Sequence, residues 1–300
     1  MASSHQFGGQ WTEEKLGRLK KYLSAYTTIF TSNARAATFT TTFVDAFAGT
    51  GYRNHVGVSK AEVPSLFPED SPLDDEDARS LQKGSAQIAI EVNPPFDKYV
   101  LVEKRPDYAQ ELELLRDRFP AKARCIRVIQ GEANSTIQTL CQNTNWRSNR
   151  AVVFLDPYGM QVEWNTIAAI AQTQAIDLWL LFPLGQAVNR VLKRNAPPDG
   201  GWADRLTTFF GTSTWKDAFY RPRQQLSLFG DNDALEKEAN FDQIGAFFVE
   251  RLASVFAKVA DNPLPLRNSK NVPIYLLCFA AANPKGAPTA VKIAQHILSK

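Results

Sequence analysis

The sequence predicts an α/β fold built on a doubly wound, mostly parallel sheet. Short apolar runs, which suit buried parallel strands, alternate along the chain with segments of helical periodicity. The first run, 43–47, leads into a glycine turn at 49–51, and later runs end near Glu103, Glu132 and Asp156. Strands that alternate with helices form parallel sheets with right-handed crossovers. These acidic residues are therefore expected at one edge of one sheet, where such folds bind ligands.

The composition is that of an ordinary globular protein. The chain has 300 residues, of which 44% are hydrophobic and 22% are charged, and its net charge is +3. This length suits a single domain over 1–300 with an added lobe. No apolar run is long enough to span a bilayer and the polar start has no signal-peptide core, so we expect a cytoplasmic protein without a membrane role. The three cysteines lack metal-ligand spacing, so no metal site is predicted.

The first element is predicted to be a helix over 11–31. Leu16, Leu19 and Leu23 recur at the spacing of one helix face. The basic residues of this segment stand mostly outside that stripe: Lys15, Arg18, Lys20 and Lys21. They are expected to form a solvated face, and the alternative is contact with phosphates.

The following elements alternate between strand and helix. After a strand over 41–47, the polar segment 52–83 is expected to be a lid or a surface insertion. Strands are then predicted over 99–103, 125–129, 151–155 and 176–182, and helices over 85–92, 106–119, 135–141 and 164–171. The last predicted elements are a helix over 241–259, a strand over 273–280 and a helix over 287–298.

Residues 185–240 are less regular and are expected to form an inserted lobe. Basic residues such as Arg221 and Arg223 alternate there with aromatic residues such as Trp202 and Phe210. Because arginines contact phosphates and aromatic rings stack on bases, this mixture suits a nucleic-acid surface. The alternative is that the aromatic side chains form a small satellite core.

The strand ends supply the polar groups that an adenosyl cofactor needs. Asp45 suits the cationic amine of S-adenosylmethionine, and Glu103 suits both ribose hydroxyls. Glu132 and Ala133 suit the adenine edge. The rest of the expected cofactor site is the turn after the first strand and one neighbour of Glu103, namely Phe47, Ala48, Gly49, Gly51 and Lys104. Glycine lets the backbone turn sharply and lets a ligand approach closely.

Other nucleotide sites fit this turn less well. Nicotinamide and flavin sites usually carry a third glycine that leads directly into a helix, whereas Tyr52 follows Gly51 here. Methyl transfer requires mainly that the enzyme align the nucleophile with the sulfonium. Asp156, the Pro157 carbonyl and Tyr158 are expected to accept the hydrogens of a target amine and to support its base.

A second motif resembles the signature of amine methyltransferases. Asn93-Pro94-Pro95-Phe96 fits Asn-Pro-Pro-aromatic, but it precedes the second strand, whereas the signature belongs at the end of the fourth. We therefore interpret it as a turn that terminates a helix.

These motifs resemble two related families. The layout is similar to that of the RlmJ-type ribosomal RNA adenine-N6 methyltransferases, although Asp156-Pro157-Tyr158 has one proline where their motif has two. More closely, the chain resembles the three-Cys-motif partner (TcmP) family, through motifs at 45–51, 84–86, 154–159, 177–183 and 281–284. The resemblance implies a class I methyltransferase (Rossmann-like) fold that uses S-adenosylmethionine, with a phage-type Gp37/Gp68-like protein partner.

Three functions remain open from the sequence. The first is methyl transfer to an amine of a nucleic-acid base, with adenine N6 favoured. The second is a non-catalytic cofactor-binding module that acts with the Gp37/Gp68-like partner. The third is methylation of a protein or a small molecule.

Overall fold

The computed structural model describes residues 10–51, 84–222 and 235–299. The predicted insertion 52–83 and Arg223 lie outside the described residues. Within the described ranges, no helix combines the length and the apolar character that crossing a membrane requires.

The helices follow the predicted order along the chain. Their bounds are α1 Gln10–Ser32, α2 Ser85–Glu91, α3 Pro106–Asp117, α4 Ala133–Asn143, α5 Trp164–Gln172, α6 Gly200–Phe210, α7 Trp215–Phe219, α8 Phe241–Ala253 and α9 Ala287–Leu298. Short helical turns lie at Ala36–Thr38, Ala123–Cys125, Leu184–Val188 and Asn189–Val191. Pro106 occupies the first turn of α3, where its missing N–H leaves no hydrogen bond unmade.

The strands form a large, mostly parallel sheet. Their bounds are β1 Thr40–Asp45, β2 Lys98–Glu103, β3 Ile126–Gln130, β4 Asn149–Leu155, β5 Ile176–Phe182, β6 Tyr220–Pro222, β7 Leu235–Lys237, β8 Lys258–Val259, β9 Leu264–Arg267 and β10 Pro273–Ala281. The order in the main sheet is β3-β2-β1-β4-β5-β10-β8, and β9 also pairs with β10. Strands β1 to β5 pair in parallel, while β10 runs antiparallel to β5.

This topology confirms the predicted Rossmann-like class I methyltransferase fold. The chain runs outward from β1 to β3, then crosses back to β4 on the other side of β1. The strand order therefore reverses between β1 and β4. In doubly wound sheets, ligands bind beyond the carboxyl ends of the strands at such a switch point.

Helices cover both faces of the sheet. On one face, α1, α2, α3 and α9 pack over a core in which Tyr22 lies 5.3 Å from Trp179 and 4.8 Å from Phe279, measured between ring centroids. On the other face, α4, α5, α6 and α8 enclose the second core. Burial on both faces explains why the central strands read as continuous apolar runs.

The aromatic residues of the 185–240 lobe belong to that second core. Phe209, Phe210 and Trp215 are at most 1% exposed. The ring of Phe182 stacks on that of Phe248 at 4.2 Å and on that of Phe209 at 5.7 Å. These rings are closed to a nucleic-acid base, so the stacking surface predicted for them is wrong. The predicted alternative, a small satellite core, is right that the rings are buried but wrong that they form a separate core, because they join the main core on this face of the sheet.

Of two further predictions, the first is wrong and the second is confirmed. The predicted helix 241–259 ends at Ala253, and Lys258–Val259 is instead a short strand beside β10. The segment 93–96 does form a turn after α2, and Phe96 is buried in the core. It lies at the start of β2, at the edge of the sheet opposite the strand ends that carry the acidic residues.

Candidate functional site

The four predicted acidic residues lie at the same edge of the sheet. Asp45 ends β1 and Glu103 ends β2, while Asp156 directly follows β4. Glu132 stands two residues beyond the end of β3. Because these four strands are parallel neighbours, their carboxyl ends share one edge, as predicted. Each of the four side chains nevertheless has its own hydrogen-bond partners.

Asp45 occupies a fully buried setting. Its Oδ2 accepts a hydrogen bond from the Ser85 hydroxyl at 2.6 Å, and its Oδ1 accepts one from the Phe47 backbone N–H at 3.2 Å. Burial raises the pKa of Asp45 to about 7, although the hydrogen bond from Ser85 opposes this shift. Ser85 is the first residue of α2, so this contact ties the helix to the end of β1.

Asp156 forms a buried ion pair with Lys15. The Lys15 ammonium donates to Asp156 Oδ2 at 2.5 Å, and the two side chains are 0% and 2% exposed. Burial lowers the pKa of Lys15 and raises that of Asp156, while the attraction between the two groups opposes both shifts. When ionised, Asp45 also opposes the lowering of the pKa of Lys15, so the three titratable groups form one cluster across the switch point.

Lys15 was not predicted as a site residue. The expectation of a solvated basic face on α1 holds for Lys20 and Lys21, which are exposed, but it is wrong for Lys15 and Arg18. Lys15 stands four residues before Leu19, so it lies over the same face of the helix. That spacing was the available signal, although it gives no partner for a buried ammonium.

Glu103 joins the first two strand ends. Its Oε2 accepts a hydrogen bond from the Gly49 backbone N–H at 3.0 Å, and its Oε1 accepts one from the Arg105 backbone N–H at 2.9 Å. Burial raises the pKa of Glu103, and these backbone hydrogen bonds oppose the shift. Gly49 has φ +59° and Gly51 has φ +71°, so the turn adopts the left-handed conformations that glycine tolerates.

Glu132 caps a helix. Its carboxylate accepts hydrogen bonds from the Ser135 backbone N–H and the Asn134 side-chain amide, both at 2.8 Å, at the start of α4. Burial would raise its pKa, but these hydrogen bonds prevail and lower it. Asn134 also donates to the Gln161 carbonyl at 2.9 Å and accepts from the Glu163 N–H at 2.9 Å. Asn134 therefore anchors the loop that follows β4.

That loop presents the predicted Asp-Pro-Tyr motif. Asp156 and Pro157 are buried, whereas Tyr158 is partly exposed and its backbone N–H donates to Gln161 Oε1 at 2.9 Å. Gly159 has φ +61°, which allows the sharp turn after the tyrosine. Tyr275, which sequence reasoning did not single out, is buried close enough to Asp156 and Tyr158 for both to raise its pKa, although burial is the main cause.

The remaining predicted cofactor residues lie around the ends of the first three strands. Ala48 and Ala133 are buried, Phe47 is half-buried against the core, and Lys104 is exposed next to Glu103. The Ala48 backbone N–H donates to the Val102 carbonyl at 3.0 Å, which extends the pairing of β1 and β2 into the turn.

The site fits S-adenosylmethionine in part. Glu103 is a partly exposed carboxylate beside a glycine turn, and its oxygens retain acceptor sites for ribose hydroxyls beyond the two backbone hydrogen bonds. Asp45 fits a direct contact with the cofactor amine less well, because it is fully buried and both oxygens accept hydrogen bonds from the protein.

Comparisons with known proteins find only distant structural neighbours. No protein-family model matches the sequence, and no curated protein is significantly similar to it. The Legionella pneumophila protein LPL1258, of family DUF519, aligns over 98% of this chain and 93% of its own, with 12% identity and a TM-score of 0.49. The Escherichia coli protein yhhF, provisionally named a methyltransferase, aligns over 71% of this chain and 85% of its own, with 13% identity and a TM-score of 0.27. With scores this low, the fold rests on its own strand order.

Proposed function

We propose that this chain is an S-adenosylmethionine-dependent methyltransferase that acts on an amine of a nucleic-acid base, with adenine N6 favoured. One observation carries the proposal. A buried carboxylate, Asp156, and a partly exposed aromatic ring, Tyr158, follow β4 at the switch point of the sheet, beside the glycine turn that Glu103 holds. Ligands of doubly wound folds bind at this place.

In this proposal, the residues around the glycine turn would contact different parts of the cofactor. Glu103 would accept the ribose hydroxyls, and the backbone of Gly49 and Gly51 leaves room for a close approach. When bound, S-adenosylmethionine supplies a methyl group that is already activated by its positive sulfur. The protein therefore has to position the target amine rather than form a covalent intermediate with it.

In this proposal, Asp156 would act on that amine. Lys15 engages one carboxylate oxygen, and an ionised carboxylate offers about four acceptor sites in all, so sites remain for an amine hydrogen. The positive charge of Lys15 opposes the effect of burial and so favours the ionised form. Asp156 would accept the proton that the nitrogen loses as it gains the methyl group. The Pro157 carbonyl would accept a second amine hydrogen, and Tyr158 would support the base.

Methyl transfer from labelled cofactor to total cellular RNA and DNA tests the proposal. We expect wild-type protein to label a nucleic acid, with methylated adenine in its digest, and we expect Asp156→Asn to lose this activity. Tyr158→Ala is a second variant that leaves the buried ion pair intact, and it should also label poorly. Calorimetric binding of S-adenosylmethionine by each variant separates a damaged site from a misfolded chain. Equal labelling by wild type and Asp156→Asn would overturn the assignment.

The structure also favours a second candidate function. Asp156 is only 2% exposed and is paired with Lys15, as a purely structural carboxylate would be. Together with the resemblance to the TcmP family, this supports a non-catalytic module that binds the cofactor and acts with a Gp37/Gp68-like partner. This second function predicts cofactor binding and a stable complex with such a partner, but no methyl transfer by the complex.

A further inference from the structure

A hollow of about 810 Å³ lies between the sheet and α4, and it reaches the starts of β1 and β2. Its floor includes Thr42, Val100 and Ile129 from the three strands β1, β2 and β3, and its wall includes Thr139 and Asn143 from α4. Ser135 also lines the hollow and touches the site already described through its hydrogen bond to Glu132, whereas the other side chains named here take no part in that site.

Unpaired positive charge surrounds this hollow. Lys98, Arg124 and Arg127 line it, and all three side chains are exposed. Across the described ranges, none of the three forms an ion pair or a side-chain hydrogen bond. Asp97 is the only carboxylate among the lining residues described, and it accepts two hydrogen bonds from Thr41, at 2.7 and 2.9 Å. The hollow therefore presents an excess of cations to whatever enters it.

The uncharged lining suits a polymer with phosphates, sugars and flat bases. Thr139 and Asn143 offer exposed hydroxyl and amide groups. The indole N–H of Trp146 donates to the Cys141 carbonyl at 2.7 Å, which fixes the ring as a partly exposed wall. Arginine and lysine contacts to phosphate, joined with an aromatic surface, are the usual means of binding single-stranded nucleic acid.

We propose that this hollow binds a single-stranded segment of the nucleic-acid substrate outside the catalytic site. The inference rests on the proposed function, because it supposes a nucleic-acid substrate. Strand β2 connects the two places, since Lys98 begins it at the hollow and Glu103 ends it at the cofactor turn. Five residue steps separate them, which is roughly 17 Å along a strand. A single bound stretch of nucleic acid can span this distance and contact both the hollow and the cofactor turn.

Fluorescence anisotropy with labelled single-stranded RNA and DNA oligonucleotides tests the hollow directly. The double variant Arg124→Glu/Arg127→Glu reverses two charges at its rim, and Lys98→Glu is a milder single change. The control, Lys285→Glu/Lys292→Glu, makes the same change in charge at exposed lysines at and beside α9, which packs on the opposite face of the sheet. Calorimetry with S-adenosylmethionine and thermal melting follow the cofactor site and the fold in every variant.

We expect the rim variant to bind oligonucleotide at least tenfold more weakly than wild type at constant salt, with cofactor affinity unchanged. The control should stay close to wild type, and the salt dependence of binding should be shallower only in the rim variants. Equal oligonucleotide binding by the rim variant and the control would refute nucleic-acid binding by the hollow. That result would not contradict the proposed methyl transfer. If the wild-type hollow binds an acidic protein but no oligonucleotide, nucleic-acid binding by the hollow would also be refuted. Failure of the wild-type protein to bind S-adenosylmethionine would instead refute the proposed function.

Discussion

The Lys15 ammonium lies 2.5 Å from the Asp156 carboxylate and joins the N-terminal helix to the end of β4, 141 residues away in the sequence. Neither side chain has more than 2% exposure. Removing two charges from water is unfavourable, and only a close, well-oriented contact offsets that. The pair therefore fixes α1 over the switch point of the sheet and at the same time sets the charge of the proposed catalytic carboxylate.

Lys15→Met should destabilise the fold by about 3–5 kcal/mol, because it leaves Asp156 buried without its counter-charge. The double variant Lys15→Met/Asp156→Asn removes both charges and should lose less than the sum of the two single changes. Urea unfolding of all four proteins measures this coupling. Full additivity of the single changes would show that the pair contributes nothing to stability.

The second prediction concerns two glycines with opposite surroundings. Gly51 has φ +71°, and a Cβ there would lie 2.6 Å from Leu115 Cδ2 in the core. Gly17 lies within α1, and a Cβ there would meet nothing within 4 Å. We expect Gly51→Ala to destabilise the protein by about 1–3 kcal/mol and Gly17→Ala to stabilise it by up to about 1 kcal/mol. Thermal melting of both variants checks the opposite signs, and two changes of the same sign would contradict the prediction.

Local patterns predicted the sheet edge because two simple constraints determine it. Parallel strands place their carboxyl ends together, and both-face burial makes those strands apolar, so Asp45, Glu103 and Asp156 were located from spacing alone. The partner of Asp156 was not predictable in the same way. Helical periodicity places Lys15 near an apolar stripe, but only the tertiary fold brings it to the carboxylate that directly follows β4. Ser85 was recognised as a helix start, without its contact to Asp45.

Composition could not show whether the aromatic residues of the 185–240 lobe form a core or a binding surface. Phenylalanine and tryptophan among basic residues occur both in cores and on nucleic-acid surfaces. The decision came from Phe182 and Phe248, outside the lobe, whose rings pack with Phe209 and Phe210. The apolar pattern could not locate the end of helix α8 either. Val255 and Phe256 continue the apolar pattern, yet the chain turns there to form β8.

The third prediction is a pH dependence caused by Asp45. Burial raises the pKa of this carboxyl from 3.8 to about 7, so in the folded state it stays protonated at pH values where the unfolded chain has ionised it. The stability it contributes is therefore full below about pH 4 and is lost as pH rises from about 4 to about 7. The loss should amount to a few kcal/mol, on the order of 1.4 for each unit of pKa shift.

Asp45→Asn isolates this effect because the amide does not titrate. Relative to wild type, the melting temperature of the variant should rise as pH increases from 4 to 7 and then level off. Asp204→Asn, at an exposed position on α6, is the matched control and should follow wild type at every pH. A constant difference between Asp45→Asn and wild type across this range would contradict the shifted pKa.

The fourth prediction concerns the carboxylate that joins the two strand ends. Glu103 accepts hydrogen bonds from Gly49 and Arg105, so an alanine there would leave two backbone N–H groups without acceptors and would remove the proposed ribose contact. Glu103→Ala should weaken binding of S-adenosylmethionine by about 1–3 kcal/mol, the usual effect of unsatisfied hydrogen-bonding groups. Glu103→Gln keeps one acceptor oxygen and should lie between alanine and wild type. Glu250→Gln, at an exposed position on α8, is the control. Calorimetry measures all three variants, and wild-type affinity in Glu103→Ala would place the ribose elsewhere.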